Sequence, residues 1–381
     1  MPAGADTVRV DPAKLGALLE ACFRGVGVSQ EDAAAVAEVL LDANLRGIDS
    51  HGVERAPVYM RRIRAKLAFG TQHTRVVAED GPLARLDAGR ALGPAVAVKA
   101  TDLAIALAGR HGVGVVAVGG SSHFGHAGYY ARRAAQSELV AIVTSNAAHS
   151  MAPQGSAVQF LGANPLAVGV PLGERGNFVL DMSTSVIARG SVRRAHAAGE
   201  TLAPGLAIDA RGEPTTDPAA ALAGSMLPLA GGKGTGIALA LCLLSATLAG
   251  ADFDDEISSM YAASDATVAP SIGHVFLVLD PWRLSDRAST LARLEAFVDR
   301  LHGLPPIDPR EPVRYAGERG DTVLAESMRD GVAVRTAELD ALARACEESD
   351  LGALAERTRA LAADPRSAPA ADTASPSPRE R

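Results

Sequence analysis

The chain has 381 residues, 48% of them hydrophobic, and a formal charge of −7. That apolar content excludes a wholly disordered chain, and at roughly 100–200 residues per domain the length implies two domains or three. The acidic balance argues against a dedicated nucleic-acid binder, which would carry a basic face.

Two helices are expected at the start. Asp11 can cap a helix through LGALLEACFRGV. Ser29, with Asp32 three residues on, begins a second, EDAAAVAEVLLDANLRG, which Gly47 can end. In IDSHGVERAPVYMRRIRAKLAFG, Pro57 predicts a turn followed by a helix, or a kinked helix. From Arg75 the pattern changes, and TRVVAEDGPLARLDAG reads as two short strands around Asp80-Gly81-Pro82. The amphipathic helix GPAVAVKATDLAIALAGRHG stops at Gly112. Buried strands VGVVAVGG and LVAIVTSN flank a helix at 129–137, and LAVGVPLG and GNFVLDMSTS supply two more strands.

After a glycine cluster at 231–236 comes the most apolar stretch, GIALALCLLSATLAGA. It is shorter than the ~20 residues that span a bilayer, so a buried core helix is expected. GHVFLVLD is a further strand. A helix is expected at 285–302 with Ser285 as its cap, and 336–363 reads as helical with a division near 347–352. Helices and strands thus alternate from 76 to 282, which predicts a mixed α/β domain. Residues 366–381 lack large apolar side chains and read as a disordered tail.

Cys22, Cys242 and Cys346 are far apart and lack metal-ligand spacing, which predicts buried thiols in a cytosolic protein and neither a disulfide framework nor a metal site. No basic segment followed by an apolar run marks a signal peptide at the N-terminus.

Five places can carry chemistry. In Asp49-Ser50-His51-Gly52-Val53-Glu54-Arg55, a histidine and an arginine stand four apart and share a face if helical. Arginine suits bidentate capture of a carboxylate, and histidine suits proton transfer near neutral pH. The competing reading is a solvated turn in which Glu54 pairs with Arg55 or Arg61. Ser121-Ser122-His123-Phe124-Gly125-His126 follows a strand directly, as site residues in α/β domains often do; for His126 a surface position and a core-histidine reading are both open. Asn146 and Asp181 end two further strands in the same manner. Finally, Gly231-Gly232-Lys233 precedes the long helix, where free N–H groups and a lysine can hold a phosphate or carboxylate, or simply make a tight helix entry. No GxGxxG stands in a strand-turn-helix context, and the glycine-lysine spacing is not that of a P-loop.

Taken in order, the segments RGIDSHGVERAPVYMRRI, SSHFGHAGYYARRA, APQGSAVQFLGANPLAVGVP, VLDMSTSVIARGSV, RGEPTTDP, PLAGGKGTGIALAL, SIGHVFLVLD and RYAGERGD span nearly the whole chain. This ordered set resembles the type 2 malate/L-lactate dehydrogenase family, whose members include sulfolactate and ureidoglycolate dehydrogenases and a Δ1-piperideine-2-carboxylate reductase. The resemblance implies a cytoplasmic homodimer that uses NAD or NADP, binding it in a non-Rossmann domain with a mixed sheet at 76–282. A helical substrate and dimerisation domain would combine 1–75 with 283–365.

Carried onto matching positions, Ser50, His51 and Arg55 would form the substrate corner, with His51 moving the proton and Arg55 clamping the carboxylate. His123 would sit at both nicotinamide and substrate, and Asp181 would orient the histidine or touch the nicotinamide. Phe124, Gly125, Asn146, Met182, Ser183, Gly231, Gly232, Lys233, Gly317, Glu318 and Arg319 would contact the cofactor. Ala163 would stand near the substrate, where the family's usual threonine is lost. The implied reaction is hydride transfer between the nicotinamide and the α-carbon of a small 2-hydroxy or 2-oxo acid. The alternatives are reduction of a cyclic imine or 2-imino acid, and a member that has lost activity and only binds cofactor.

Overall fold

The computed structural model describes residues 7–259 and 268–363; the expected tail at 366–381 lies outside them. After strand β1 (Thr7–Val10), the Asp11 carboxylate accepts the Ala13 and Lys14 N–H groups and starts α1 (Pro12–Gly25). Ser29 Oγ accepts the Asp32 N–H and starts α2 (Gln30–Leu45). The Asp32 carboxylate does not complete a reciprocal cap. It is buried against Thr71, accepting from its N–H at 2.8 Å and its hydroxyl at 2.7 Å. Pro57 stands in the first turn of α3 (Ala56–Arg64), where a missing N–H costs no hydrogen bond. Of the two expected forms, the turn followed by a helix is the one found.

The central sheet then forms from β2 (Arg75–Asp80), β3 (Leu83–Asp87), β4 (Val113–Ser121), β5 (Val140–Ser145), β6 (Leu166–Pro171) and β7 (Asn177–Met182). Helix α4 (Gly93–His111), ended by left-handed Gly112, joins β3 to β4, and α5 (Ala127–Gln136) joins β4 to β5. A small insert follows, with α6 (Arg189–Ala198), β8 (Ala207–Ile208), β9 (Pro214–Thr215), α7 (Pro218–Ala223) and β10 (Ser225–Met226) around Val192, Ala207 and Met226. Helix α8 (Gly232–Ala249) leads to β11 (Ile272–Leu279), and the sheet order is β2-β3-β4-β11-β5-β6-β7. Of these pairs β3 and β4 run parallel; the rest are antiparallel. A doubly wound dinucleotide fold needs consecutive parallel strands, so this sheet is mixed and non-Rossmann.

The chain closes with α9 (Arg287–His302), α10 (Glu318–Asp330), β12 (Val332–Arg335), α11 (Thr336–Glu347) and α12 (Gly352–Ala363). Strand β12 pairs with β1, and one core joins α1, α2, α3, α11 and α12 from both ends of the chain. A second core lies between the sheet and α4 and α5. Within the first core Cys22 and Cys346, both fully buried, approach to 3.5 Å as free thiols.

Two expectations are corrected. The cap of α9 is Asp286, not Ser285, with its carboxylate accepting the Ser289 N–H. Helix α8 is not a buried core helix. Its small residues Gly234, Ala238, Ser245, Ala246 and Ala249 face the protein, while Leu239, Leu243, Leu244 and Leu248 are exposed. The cause is close approach. A side chain on Gly119 would stand 2.2 Å from the Ala249 carbonyl oxygen, and one on Gly273 2.6 Å from that of Ser245. Close packing therefore needs small residues where the surfaces meet; Leu241 and Cys242 are buried beside them, and the other four leucines turn outward.

Candidate active site

The segment between α2 and α3 is two single 3₁₀ turns, Asp49–His51 and Val53–Arg55, hinged at Gly52. His51 and Arg55 are therefore not on one continuous helical face. Asn44 forms the hinge: its Oδ1 accepts the Val53 N–H at 2.8 Å and its Nδ2 donates to Asp49 at 3.0 Å. A Cβ on Gly52 would stand 2.0 Å from Asn44 Oδ1. Gly52→Ala is expected to cost about 1–3 kcal/mol by forcing this buried amide aside, read as a lower urea midpoint. Beyond the hinge, Ser50 Oγ lies 2.9 Å from His51 Nδ1, and buried Arg55 donates from Nε to the Ser50 carbonyl at 2.6 Å. The solvated-turn reading fails because Arg55 is 5% exposed. Its contact with Glu54 survives only as a loose pair at 3.8 Å.

The loop after β4 brings His123 to this corner. The His51 and His123 rings stack with centroids 5.5 Å apart and planes at 21°. Tyr59, one turn beyond Arg55 on α3, places its hydroxyl 2.6 Å from His123 Nδ1, and the Gly125 N–H also points to that nitrogen at 3.3 Å. An N–H can only donate, so Nδ1 is an acceptor and the neutral ring carries its proton on Nε2. Burial, then the charges of Arg55 and His126, push the His51 imidazole down to about 3. Burial, followed by His51 and Arg55, holds His123 well below its ordinary value as well. Both rings are neutral near pH 7.

Asp181, at the end of β7, accepts the Gly128 N–H at 2.8 Å at the start of α5. Its charge acts on His51 and opposes the depression there. Behind it stands His126, 3% exposed, which excludes the surface reading and leaves the buried one. Its Nδ1 is 3.6 Å from Asp181 and its Nε2 3.1 Å from Asp42 on α2. Burial opposes a charge on this ring, but the two carboxylates prevail and raise it. Burial likewise opposes the Asp42 charge, while His126, Arg132 and Arg46 hold its carboxyl low.

The remaining expected residues separate into two groups. Phe124 points into the core, stacked on His274 at 4.4 Å and 3°. Asn146 spends its amide on backbone, donating to the Asp252 carbonyl at 2.6 Å and accepting the Gly273 N–H at 2.8 Å. Both side chains brace the strand ends instead of presenting a face for a ligand.

Met182 and Ser183 continue β7 as half-buried residues. Beyond them Thr184 donates its N–H to the Ala163 carbonyl and accepts that of Leu229, which ties the loop before Gly231, Gly232 and Lys233 to β7. On the free edge of β7, the Val179 N–H bonds to the Ala316 carbonyl, which seats Gly317 at the start of α10. Glu318 is engaged, with Oε1 2.8 Å from His302 Nε2 and Oε2 accepting the Tyr315 N–H, whereas Arg319 is exposed.

Residues 10–343 match the family model described as malate/L-lactate dehydrogenase. The chain belongs to the malate/L-lactate dehydrogenase family. It is 41% identical over 303 residues to a (2R)-3-sulfolactate dehydrogenase (NADP(+)) of Chromohalobacter salexigens, covering 79% of this chain and 87% of the relative. It is 31% identical to a Δ1-pyrroline-2-carboxylate/Δ1-piperideine-2-carboxylate reductase of Pseudomonas putida, covering 90% and 98%. Among solved structures, the sulfolactate dehydrogenase of Methanocaldococcus jannaschii superposes with a TM-score of 0.82 at 31% identity, covering 90% of this chain and 98% of that one.

In this family member, sequence reasoning missed Tyr59, Asp42 and His274. Tyr59 was legible as the residue four after Arg55. Lone His274 in an apolar strand marks a satisfied core histidine, bonded at 2.8 Å to both Ser145 and Ser121. Asp42 carried no local signal, because its partners His126 and Arg132 lie far along the chain.

Proposed function

We propose that this chain transfers hydride reversibly between NAD or NADP and the α-carbon of a small 2-hydroxy or 2-oxo acid, and that it works as a cytoplasmic homodimer. The observation that carries the reading is the grouping of His51, Arg55, His123 and Asp181 from three separated segments: the two rings stack, and the charges of Arg55 and Asp181 act on His51. Arg55 holds the substrate carboxylate. His51, neutral and steadied at Nδ1 by Ser50, takes the hydroxyl proton in oxidation and returns it in reduction. Asp181 stabilises the imidazolium that forms, and His126 keeps Asp181 ionised for that task. Arg55 is the second cause of the low His51 value, so a carboxylate bound to Arg55 makes His51 more basic when a proton must move.

The residues present fit a dinucleotide. Helices α8 and α10 begin at Gly231 and Gly317 without a side-chain cap, and Lys233 stands at the first. Both starts are tethered near β7, so uncapped N–H groups and a lysine stand ready for phosphates on either side of the strand that carries Asp181. When bound, the nicotinamide supplies or accepts the hydride. The apolar outer face of α8 gives a second copy a surface to cover, in keeping with the homodimer.

The reading is tested by following NADH and NADPH oxidation with 2-oxo acids and, as the second arm, with a cyclic imino acid, to which the P. putida relative directs attention. Turnover of the imine alone would replace the main reading by the second. Arg55→Lys is expected to raise KM about 10–100-fold with a much smaller change in kcat, since an ammonium cannot make the forked contact.

A further inference from the structure

The first turn of α6 lies directly on the Ser50–Arg55 corner. A Cβ built on Gly190 would stand 3.3 Å from Ser50 Cβ, 3.5 Å from Arg55 Nη2 and 3.9 Å from Arg194 Nη1. Two guanidinium groups therefore converge on a space that a side chain at position 190 would fill. Arg194 follows Gly190 by four residues, one helical turn, so it returns to the same face. Its Nη2 donates to Ser191 Oγ at 2.9 Å. Its Nη1 is buried without a hydrogen-bond partner, and the Glu54 carboxylate stands 4.0 Å away.

Glu54 stands 3.8 Å from Arg55, 3.5 Å from Arg335 and 4.0 Å from Arg194, and the Asp49 carboxylate also acts on Arg194, but neither gives Arg194 Nη1 a hydrogen bond. The Arg194 charge also acts on His51 and on Arg55, in keeping with its place at the same corner. With a substrate carboxylate on Arg55, the Arg194 Nη1 N–H still has no hydrogen-bond acceptor, and a buried N–H left unpaired costs stability.

We propose that Arg194 anchors a second anionic group, so that this enzyme selects 2-hydroxy acids bearing a distal carboxylate or sulfonate over lactate-like monoanions. The inference rests on the dehydrogenase reading above and assigns the substrate class of that site. A monoanion leaves Arg194 Nη1 unpaired, whereas a dianion satisfies it, and one such contact separates the two by about 10–100-fold in kcat/KM.

The test uses the purified full chain with each nicotinamide cofactor and three substrates: malate, 3-sulfolactate and lactate. The parent is expected to favour at least one dianion over lactate by about tenfold or more. Arg194→Met, which keeps the apolar stem, is expected to lower kcat/KM for the favoured dianion about 10–100-fold and to leave lactate within about threefold. The dianion that falls furthest identifies a carboxylate or a sulfonate subsite. Arg194→Lys and Arg194→Gln guard against misfolding of the first variant, with the lysine expected to retain more of the dianion preference than the glutamine. A ratio unchanged by these substitutions, or lactate and dianion falling together, overturns the inference and leaves the dehydrogenase reading intact. No turnover of any of the three by the parent overturns both.

Discussion

Replacing His51 with alanine is expected to lower kcat about 10²–10⁴-fold on a confirmed substrate, the usual worth of a positioned acid or base. The pH profile makes the expectation sharper. A base must be unprotonated to act, and His51 sits at about 3 in the free site, under burial and the charges of Arg55, His126 and Arg194, with Asp181 opposing them. The kcat/KM for hydroxy-acid oxidation should therefore stay level from about pH 8 down to about pH 5; a histidine of ordinary value would lose about tenfold by about pH 5.5. Reduction needs the protonated ring, so its kcat/KM should rise about tenfold for each unit that the pH falls over the same range. A His51→Ala enzyme within a few-fold of the parent, with the same pH profile, would move the proton-transfer role to stacked His123.

Substituting Asp42 by asparagine is expected to cost about 3–5 kcal/mol of stability, seen as a lower urea midpoint. One carboxylate holds two guanidinium groups and an imidazole: Arg46 Nε at 2.9 Å, Arg132 Nη1 at 2.9 Å and His126 Nε2 at 3.1 Å. Each of those partners is 11% exposed or less, so removing the anion strands positive charge where water cannot replace it. The Asp42 carboxyl is held below its unfolded value, so its contribution is complete above about pH 4 and fades as the pH falls through the folded value. The gap between parent and Asp42→Asn should accordingly narrow in acid. The substitution also removes one of the two anions that favour a proton on His126, and activity should fall along with stability.

Local signals survived folding well. Asp11 and Ser29 cap as their side-chain chemistry directs, Gly112 ends its helix, and the apolar runs become β4, β5, β6, β7 and β11. These are short-range effects, set by hydrogen bonds within a turn and by burial of one strand or helix face. The misjudged elements depend on a neighbour. Helix α8 has the composition of a core helix, but the close approach permitted by Gly119 and Gly273 selects its small residues for burial. Asp286 and Ser285 are both good caps by type, and only the backbone path decides between them.

The candidate site divides in the same way. The residue types that suit carboxylate capture and proton transfer stand in plain view at Ser50, His51 and Arg55, and the ordered motifs placed His123 and Asp181 beside them. The charge states were not legible, because they come from partners distant in sequence. His51 is neutral through burial, carboxylates on α2 and β7 favour the charged form of His126, and Arg194 meets Arg55 only because Gly190 lets α6 close on the corner. Sequence by itself determined which groups were available and the elements that carry them, since propensity and periodicity act over a few residues. The tertiary structure alone decided which groups share a low-dielectric cleft and which stay in water, since Coulomb and desolvation effects depend on distance in space and not along the chain.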